Sequence, residues 1–378
     1  MQLPFELGPI RPPSEAYSLL IRASRNCAWN RCKFCRTYKG QRFELRPVED
    51  IKRDILTVKT TQDKFKEMAW KSGYGTQLNE VAAQVYQSTS DEVVRLVALW
   101  MYAGGTSAFL QDANTLIMRV NDLLEVITFL KQTLPSITRV TTYARSKTAA
   151  QRSVTELVRL REAGLSRIHI GLESGSDAVL ILMDKGVTVA DQIKGGQHVV
   201  ASGISLCEYV LLGLGGVKLW REHAIETTRV LNDINPEYIR FRTLSITKDM
   251  PLHALVQSGE FVRSTDEQIV AEERLLIENL TCHSNLVSDH VTNLLQEIEG
   301  RLPEDKPRLL EVIDRFQGLT PAERSNFILG RRAGYYNELD DMKDATRRSA
   351  VERMLDSLCQ KAGDLDEKVV YGLMERFI

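Results

Sequence analysis

The sequence predicts an α/β fold built on parallel strands, followed by a helical region. Three observations carry that prediction. A unit of short apolar run, loop and amphipathic helix recurs six times between about residues 17 and 250. From about residue 255 onward only helical patterns are legible. The composition, 43% hydrophobic and 26% charged over 378 residues, is that of a globular chain long enough for one barrel with an appendage. Consecutive strand–helix units connect parallel strands through right-handed crossovers. An open or partly closed barrel suits six of them; a doubly wound sheet is the alternative.

Taken in order, residues 1–16 carry Pro4, Pro9, Pro12 and Pro13 and read as an extended lead-in. The first strand is expected at 17–24, with a cysteine-bearing loop after it. Its helix opens at Pro47, with Glu49 and Asp50 in the first turn. A polar helical insertion covers about 60–92. The second strand is expected at 93–103, ending in Gly104-Gly105-Thr106, and its helix at 121–134 is stopped by Pro135. The third strand is expected at 139–144, and its helix starts with the capping box Ser153/Glu156. The fourth, at 167–172, runs into Glu173-Ser174-Gly175-Ser176, with a helix at 188–203. The fifth, at 204–212, precedes a helix at 219–234, and the sixth lies at 238–246. In the tail, Thr320-Pro321-Ala322-Glu323 marks a further helix start. The expected domains are therefore a lead-in at 1–16, a barrel at 17–254 and a helical extension at 255–378.

Composition narrows the function classes. No apolar run approaches the length that spans a bilayer. The first residues have neither the basic start nor the apolar centre of a signal peptide. A cytoplasmic protein is expected, in which the six cysteines are thiols or metal ligands. A net charge of −1 gives no general electrostatic case for nucleic acid, which is not an expected partner.

The distinctive stretch is Cys27-Ala-Trp-Asn-Arg-Cys32-Lys-Phe-Cys35. Three thiols are one too few for a closed zinc site. They are the right number for a [4Fe–4S] cluster with one iron left open for a small molecule. A zinc site completed by a remote ligand, or three unrelated thiols, are the alternatives. With Phe34 before the last cysteine, the stretch resembles the motif of the radical S-adenosylmethionine (radical SAM) superfamily, whose usual spacing is C-x3-C-x2-C. The resemblance extends over about residues 17–250. It implies a partial (β/α)6 TIM-type barrel with a C-terminal helical extension. It also implies a [4Fe–4S] cluster on Cys27, Cys32 and Cys35, and S-adenosylmethionine as cofactor. The expected partners are a small-molecule substrate and an electron donor such as flavodoxin or ferredoxin. The tail is loosely similar to helical extensions of the anaerobic coproporphyrinogen dehydrogenase-like branch. Two rivals remain: a non-catalytic iron–sulfur or zinc module, and an RNA-modifying radical enzyme.

Ligands of parallel barrels bind at the C-terminal strand ends. In the family, a pair such as Gly104-Gly105, with Thr106, resembles the motif that holds the amino group of the cofactor's methionine part. Strand alternation puts Ile168, Ile170 and Leu172 on one face, and Arg167, His169 and Glu173 on the other. Segment 170–177 resembles the family's fourth-strand segment, so Glu173 is the expected ribose ligand. His169 is expected to face substrate or to be a hydrogen-bonded core residue. Arg145 suits the cofactor's carboxylate, and Leu212, with Leu211 and Leu214, suits a wall for adenine. Tyr209 stands where related enzymes carry a ribose-binding aspartate. Alternation on the sixth strand turns Arg240 and Arg242 inward, with Arg22 a further inward candidate. Buried arginines need partners, which are either acidic side chains such as Glu173 or an anionic substrate. Cys207, Cys282 and Cys359 are isolated and read as buried thiols. Arg331-Arg332 reads as solvated surface, and Cys282-His283 with Asp289-His290 as a polar cluster.

Overall fold

The computed structural model describes residues 5–362 and 367–374. The first strands are β1 (Leu19–Arg22), β2 (Ser24–Arg25) and β3 (Glu44–Leu45). Three helices follow, α1 (Val48–Lys71), α2 (Leu78–Ser88) and α3 (Glu92–Tyr102), and then β4 (Ser107–Gln111), α4 (Val120–Thr133) and β5 (Arg139–Ala144). Next come α5 (Ser146–Gln151), α6 (Val154–Ala163), β6 (Leu165–Glu173), α7 (Asp177–Leu182), α8 (Val189–Ala201) and β7 (Ser205–Leu212). The chain continues through α9 (Gly216–Ile234), β8 (Tyr238–Thr243), α10 (Pro251–Gln257), α11 (Asp266–Asn279), β9 (Ser284–Val287) and β10 (Glu299–Leu302). It ends in α12 (Lys306–Gln317), α13 (Pro321–Arg332), α14 (Ala345–Ala362) and α15 (Glu367–Met374).

The fold is α/β, as the alternation of elements predicts. Its sheet of eight strands, mostly parallel, has the order β1-β4-β5-β6-β7-β8-β9-β10. Contacts divide the chain into two compact units. One comprises Met1–Asn30, Thr37–Ile170 and Lys194–Leu206; the other comprises Arg31–Arg36, Gly171–Ile193 and Cys207–Ile378.

In the first unit, β1, β4, β5 and the body of β6 pair in parallel, with Leu19 opposite Ala108 and Tyr143 opposite His169. Ile51, Ile55 and Val58 of α1 are fully buried, as are Leu19 and Ile21 of β1. The expected second strand is a helix. Asp91 accepts hydrogen bonds from the amides of Val93 and Val94, and Val97, Trp100 and Met101 bury one face of α3. Their spacing is helical, and the cap outweighs the β-branched and aromatic composition that suggested a strand. The true strand, β4, has only three apolar residues and follows Gly104-Gly105-Thr106. These three residues therefore stand at the N-terminal end of β4, opposite to the ligand-binding end. The residues that occupy the C-terminal end are Asp112, Ala113 and Asn114.

In the second unit, β7 and β8 are parallel, β9 adds parallel to β8, and β10 returns antiparallel. The tail is thus not wholly helical. Two four-residue strands are too short to show a period of two. An apolar cluster of Val179, Met183, Leu214, Ile246, Leu252 and Phe261 forms a core, with Phe34 packed against it. Arg331 and Arg332 are buried rather than solvated. Arg331 donates to the carbonyls of Asn293, Leu294 and Tyr336, and Arg332 to Asp266 and the Thr292 carbonyl. Burial, with Arg332 next to it, lowers the Arg331 guanidinium to about 10.

The loop after β6 lies against α9 with no room for a side chain. A Cβ on Gly175 would stand 2.5 Å from the Glu226 carbonyl oxygen and 2.5 Å from the Thr227 Cα, both backbone atoms. Gly175→Ala is therefore expected to destabilise the protein by about 1–3 kcal/mol, read as a lower midpoint in chemical denaturation. An unchanged midpoint would show that the loop is not clamped to α9.

Candidate functional site

The cysteine loop joins β2 to β3. Asn26 and Asn30 flank Cys27 in left-handed conformations, φ 65° and 49°, which asparagine tolerates. The Asn30 amide donates to the Cys27 sulfur at 3.4 Å, and the Cys35 amide to the Cys32 carbonyl at 3.3 Å. In the second unit the Lys33 amide donates to the Met183 carbonyl, and the Leu252 amide to the Lys33 carbonyl, both at 2.9 Å. Cys27, Cys32 and Cys35 form no disulfide and are half-buried. Among the described residues no three histidine, cysteine, aspartate or glutamate side chains are drawn together as a metal-holding group. The fit to an iron–sulfur cluster rests instead on three soft thiols and an amide aimed at one sulfur. Cys207 and Cys282 are buried, and the side chain of Cys359 lies outside the described residues.

The misplaced second strand concealed a hub. Asp112, fully buried, accepts from Arg22 Nε at 2.9 Å, Arg22 Nη2 at 2.7 Å, the Asn26 amide at 3.2 Å and the Tyr38 hydroxyl. Burial, then the Asp112 charge, pushes the Tyr38 hydroxyl far up, and the nearby Cys27 acts in the same direction. Asn26 and Tyr38 bracket the cysteines, so Asp112 fixes the loop's two flanks to β4. Arg22 also binds Glu6 at 2.9 Å; it is saturated by the protein's own carboxylates and is not left for a substrate. Asn114 accepts from the Arg145 amide at 3.0 Å, and the Arg145 guanidinium lies 5.2 Å over the ring of Trp29 in the cysteine loop.

His169 is enclosed. It makes edge contacts with Phe109 and Tyr143, and its Nε2 stands 3.6 Å from Glu15 Oε1. Burial raises the Glu15 carboxyl, but hydrogen bonds from His169, Arg139 and Ser18 outweigh it and hold Glu15 at about 2.

In the second unit Glu173 ends β6 with φ 65°, a conformation a non-glycine residue adopts only when its surroundings impose it. Gly171 makes room for its carboxyl: a Cβ there would be 2.2 Å from Glu173 Oε1. Two neighbours were missed in the sequence. Lys185 Nζ lies 3.2 Å from Glu173 Oε1 and 5.4 Å over the Phe34 ring. Glu208 on β7 is buried, and its Oε2 has no hydrogen-bond partner among the described residues. Burial, then the Glu173 charge, pushes the Glu208 carboxyl well up. The signal was an acid inside the apolar run Leu206–Leu212, and a lysine one turn beyond α7. Leu212 is buried, and its carbonyl accepts the Leu244 amide at 2.9 Å.

At the end of β8, Arg240 and Arg242 share one carboxylate. Asp289 takes Arg240 Nη1 at 2.7 Å and Arg242 Nη1 at 3.2 Å. The partner is thus Asp289 and not Glu173. Arg242 also lies 4.9 Å over the Tyr209 ring, and its Nη2 is buried without a hydrogen-bond partner among the described residues. Burial, then Arg242, lowers neighbouring His290 to about 4. The polar cluster read at 282–290 is split: Cys282 and His283 donate their amides to Asn232 and Asn235.

Compared with protein families, the chain matches the Radical SAM superfamily over residues 21–228, more than half its length. The chain belongs to the radical SAM superfamily. This radical SAM chain is an enzyme of a superfamily that uses a [4Fe–4S] cluster and S-adenosylmethionine, and the three-cysteine motif fits that assignment. A curated relative, an uncharacterized protein of Methanocaldococcus jannaschii, is 31% identical over 100 residues, 26% of this chain and 30% of that protein. Among solved structures the chain is similar to methylornithine synthase, with 14% identity, a TM-score of 0.43, and 70% of this chain and 63% of that one covered. It is also similar to the cobalamin-dependent radical enzyme OxsB, with 15% identity, a TM-score of 0.47, and 95% and 58% covered. A third is the [FeFe]-hydrogenase maturase HydG, with 13% identity, a TM-score of 0.41, and 94% and 80% covered. At these identities none of them assigns a substrate. No helix among the described residues is long and apolar enough to cross a membrane.

Asp112→Ala would leave the Arg22 guanidinium and Tyr38 hydroxyl without their buried partner. A loss of about 3–5 kcal/mol is expected, together with reduced iron content after anaerobic reconstitution. Wild-type stability and iron loading would show that the hub does not order the loop.

Proposed function

We propose that this radical SAM enzyme acts on a small molecule that carries an anionic group. The observation that carries the radical chemistry is the set of three cysteines outside any disulfide, Cys27, Cys32 and Cys35, inside the family match. A cluster held by Cys27, Cys32 and Cys35 would supply the electron for reductive cleavage of S-adenosylmethionine to a 5′-deoxyadenosyl radical, and so for hydrogen abstraction from the substrate.

The chain's own residues bind, orient and exclude water. Cys27, Cys32 and Cys35 would hold the iron, and Phe34, next to Cys35, anchors the loop on the apolar core. Arg145 offers its guanidinium fork to the cofactor's carboxylate. Glu173, held in place by Lys185, accepts the ribose hydroxyls, and Leu212 contributes apolar wall. Arg240 and Arg242 hold the substrate's anion. One carboxylate serves both guanidiniums, which leaves net positive charge and an open donor on Arg242. Enclosed His169 is not in this set, and neither are Gly104, Gly105 and Thr106. The chain works in the cytoplasm with a low-potential donor such as flavodoxin or ferredoxin.

Anaerobic reconstitution with S-adenosylmethionine and dithionite, followed by detection of 5′-deoxyadenosine, tests the core of this reading. Cys27→Ala, Cys32→Ala and Cys35→Ala are each expected to abolish the cluster's visible absorption, and Cys207→Ala to keep it; equal iron loss from the Cys207 variant would contradict the ligand set. Glu173→Gln should weaken cofactor binding by about 1–3 kcal/mol, the scale of a charged hydrogen bond, with normal cluster content. Calorimetry that finds unchanged affinity excludes the ribose role. Arg242→Leu should spare cluster and cofactor binding and abolish the stimulation of 5′-deoxyadenosine formation by anionic metabolite fractions; full stimulation would remove Arg242 from substrate binding.

A further inference from the structure

Helix α11 carries two adjacent glutamates, Glu272 and Glu273, that are almost fully buried. Glu272 Oε1 accepts the Gly213 amide at 2.8 Å, just beyond the end of β7, and stands 3.4 Å from His223 Nε2 on α9. The other nitrogen, His223 Nδ1, is 2.8 Å from the Ser174 hydroxyl. Ser174 Oγ accepts the Ser176 amide at 3.1 Å, and Thr227 Oγ1 on α9 accepts the Gly175 amide at 2.8 Å. This chain of contacts ends one residue after Glu173, whose backbone is held at φ 65°.

We propose that Glu272 is a positioning residue for cofactor binding, acting through His223 and Ser174 to hold Glu173 in its left-handed conformation at the end of β6. The proposal rests on the reading of Glu173 as the ribose ligand. Ser174, Gly175 and Ser176 are all fastened to α9 or to one another, and His223 is the link that reaches on to β7 and α11. With Nδ1 accepting from the Ser174 hydroxyl, Nε2 carries the proton and faces both the Leu211 carbonyl at 3.2 Å and Glu272. Glu272 Oε2 has no hydrogen-bond partner among the described residues. A carboxylate so placed would be an uncompensated buried charge, so the working form is the neutral acid.

Burial supports this by raising Glu272 to about 8 and lowering His223 to about 4. The groups that face Glu272 are His223 from α9, the Gly213 amide beyond β7, and neighbouring Glu273. Burial, then Glu272, raises Glu273 to about 8, and Glu273 bonds Ser288 after β9. The other charged contacts of α11 are taken up elsewhere: Asp266 with Arg332, Glu267 with Arg324, and Arg274 with Asp314.

The experiment measures S-adenosylmethionine affinity by calorimetry on the reconstituted full chain. Glu272→Leu breaks the link to His223, and affinity should fall roughly tenfold, the scale of one positioned hydrogen bond, at normal iron content. Glu272→Gln copies the neutral acid and should bind as wild type does. Wild-type affinity should decline above about pH 8 as Glu272 ionises, whereas Glu272→Gln should show no such decline. Glu273→Leu removes a carboxyl that reaches Ser288 and not His223, so it leaves the link to Ser174 in place and should stay within about twofold of wild type. Wild-type affinity in Glu272→Leu overturns the proposal, as does equal weakening by Glu273→Leu, which would mark a general loss of packing. If Glu173→Gln weakens binding and Glu272→Leu does not, only the positioning role falls. If Glu173→Gln is itself silent, the ribose reading falls.

Discussion

The first unit's chemistry depends on one buried negative charge being fully answered. An isolated carboxylate in a protein interior is costly by several kcal/mol. Asp112 escapes that cost because a guanidinium, a hydroxyl and a backbone amide all converge on it. These donors come from β1 and from the two flanks of the cysteine loop. The loop has little regular structure of its own, and its conformation is borrowed from this convergence. The second unit solves the same problem in the opposite way. Its buried acids Glu272 and Glu273 are kept neutral by burial, and their hydrogen bonds replace ion pairing.

Much of the fold was legible because its signals are local. The third strand falls on 139–144 as expected, and the Ser153/Glu156 and Thr320/Glu323 boxes cap α6 and α13. Where two signals competed, composition misled. Glu92–Tyr102 is rich in valine and aromatic residues, yet the Asp91 cap and the spacing of Val97, Trp100 and Met101 make it helical. That single error moved Gly104 and Gly105 to the wrong end of a strand and hid Asp112 and Asn114.

Side-chain partners were less legible than elements, because partnership is set by tertiary packing. Strand alternation turned Arg240 and His169 inward, and both are buried. It could not reveal that Asp289, some fifty positions further along, pairs with both arginines. Nor could it place Glu15 beside His169. Arg331-Arg332, flanked by glycines, looks like a surface turn, and only packing shows these arginines holding four carbonyls and an aspartate from within.

The edge strand β10 bears on self-association. A parallel sheet that ended on β8 or β9 would present a row of open amides and carbonyls to another copy of the chain. Here the last strand reverses direction, is four residues long, carries exposed Glu299 and Arg301, and runs straight into Pro303. The short length, the exposed charges and the proline are known deterrents to strand addition. Two strands that were invisible in the sequence thus equip this end of the sheet against edge-to-edge aggregation.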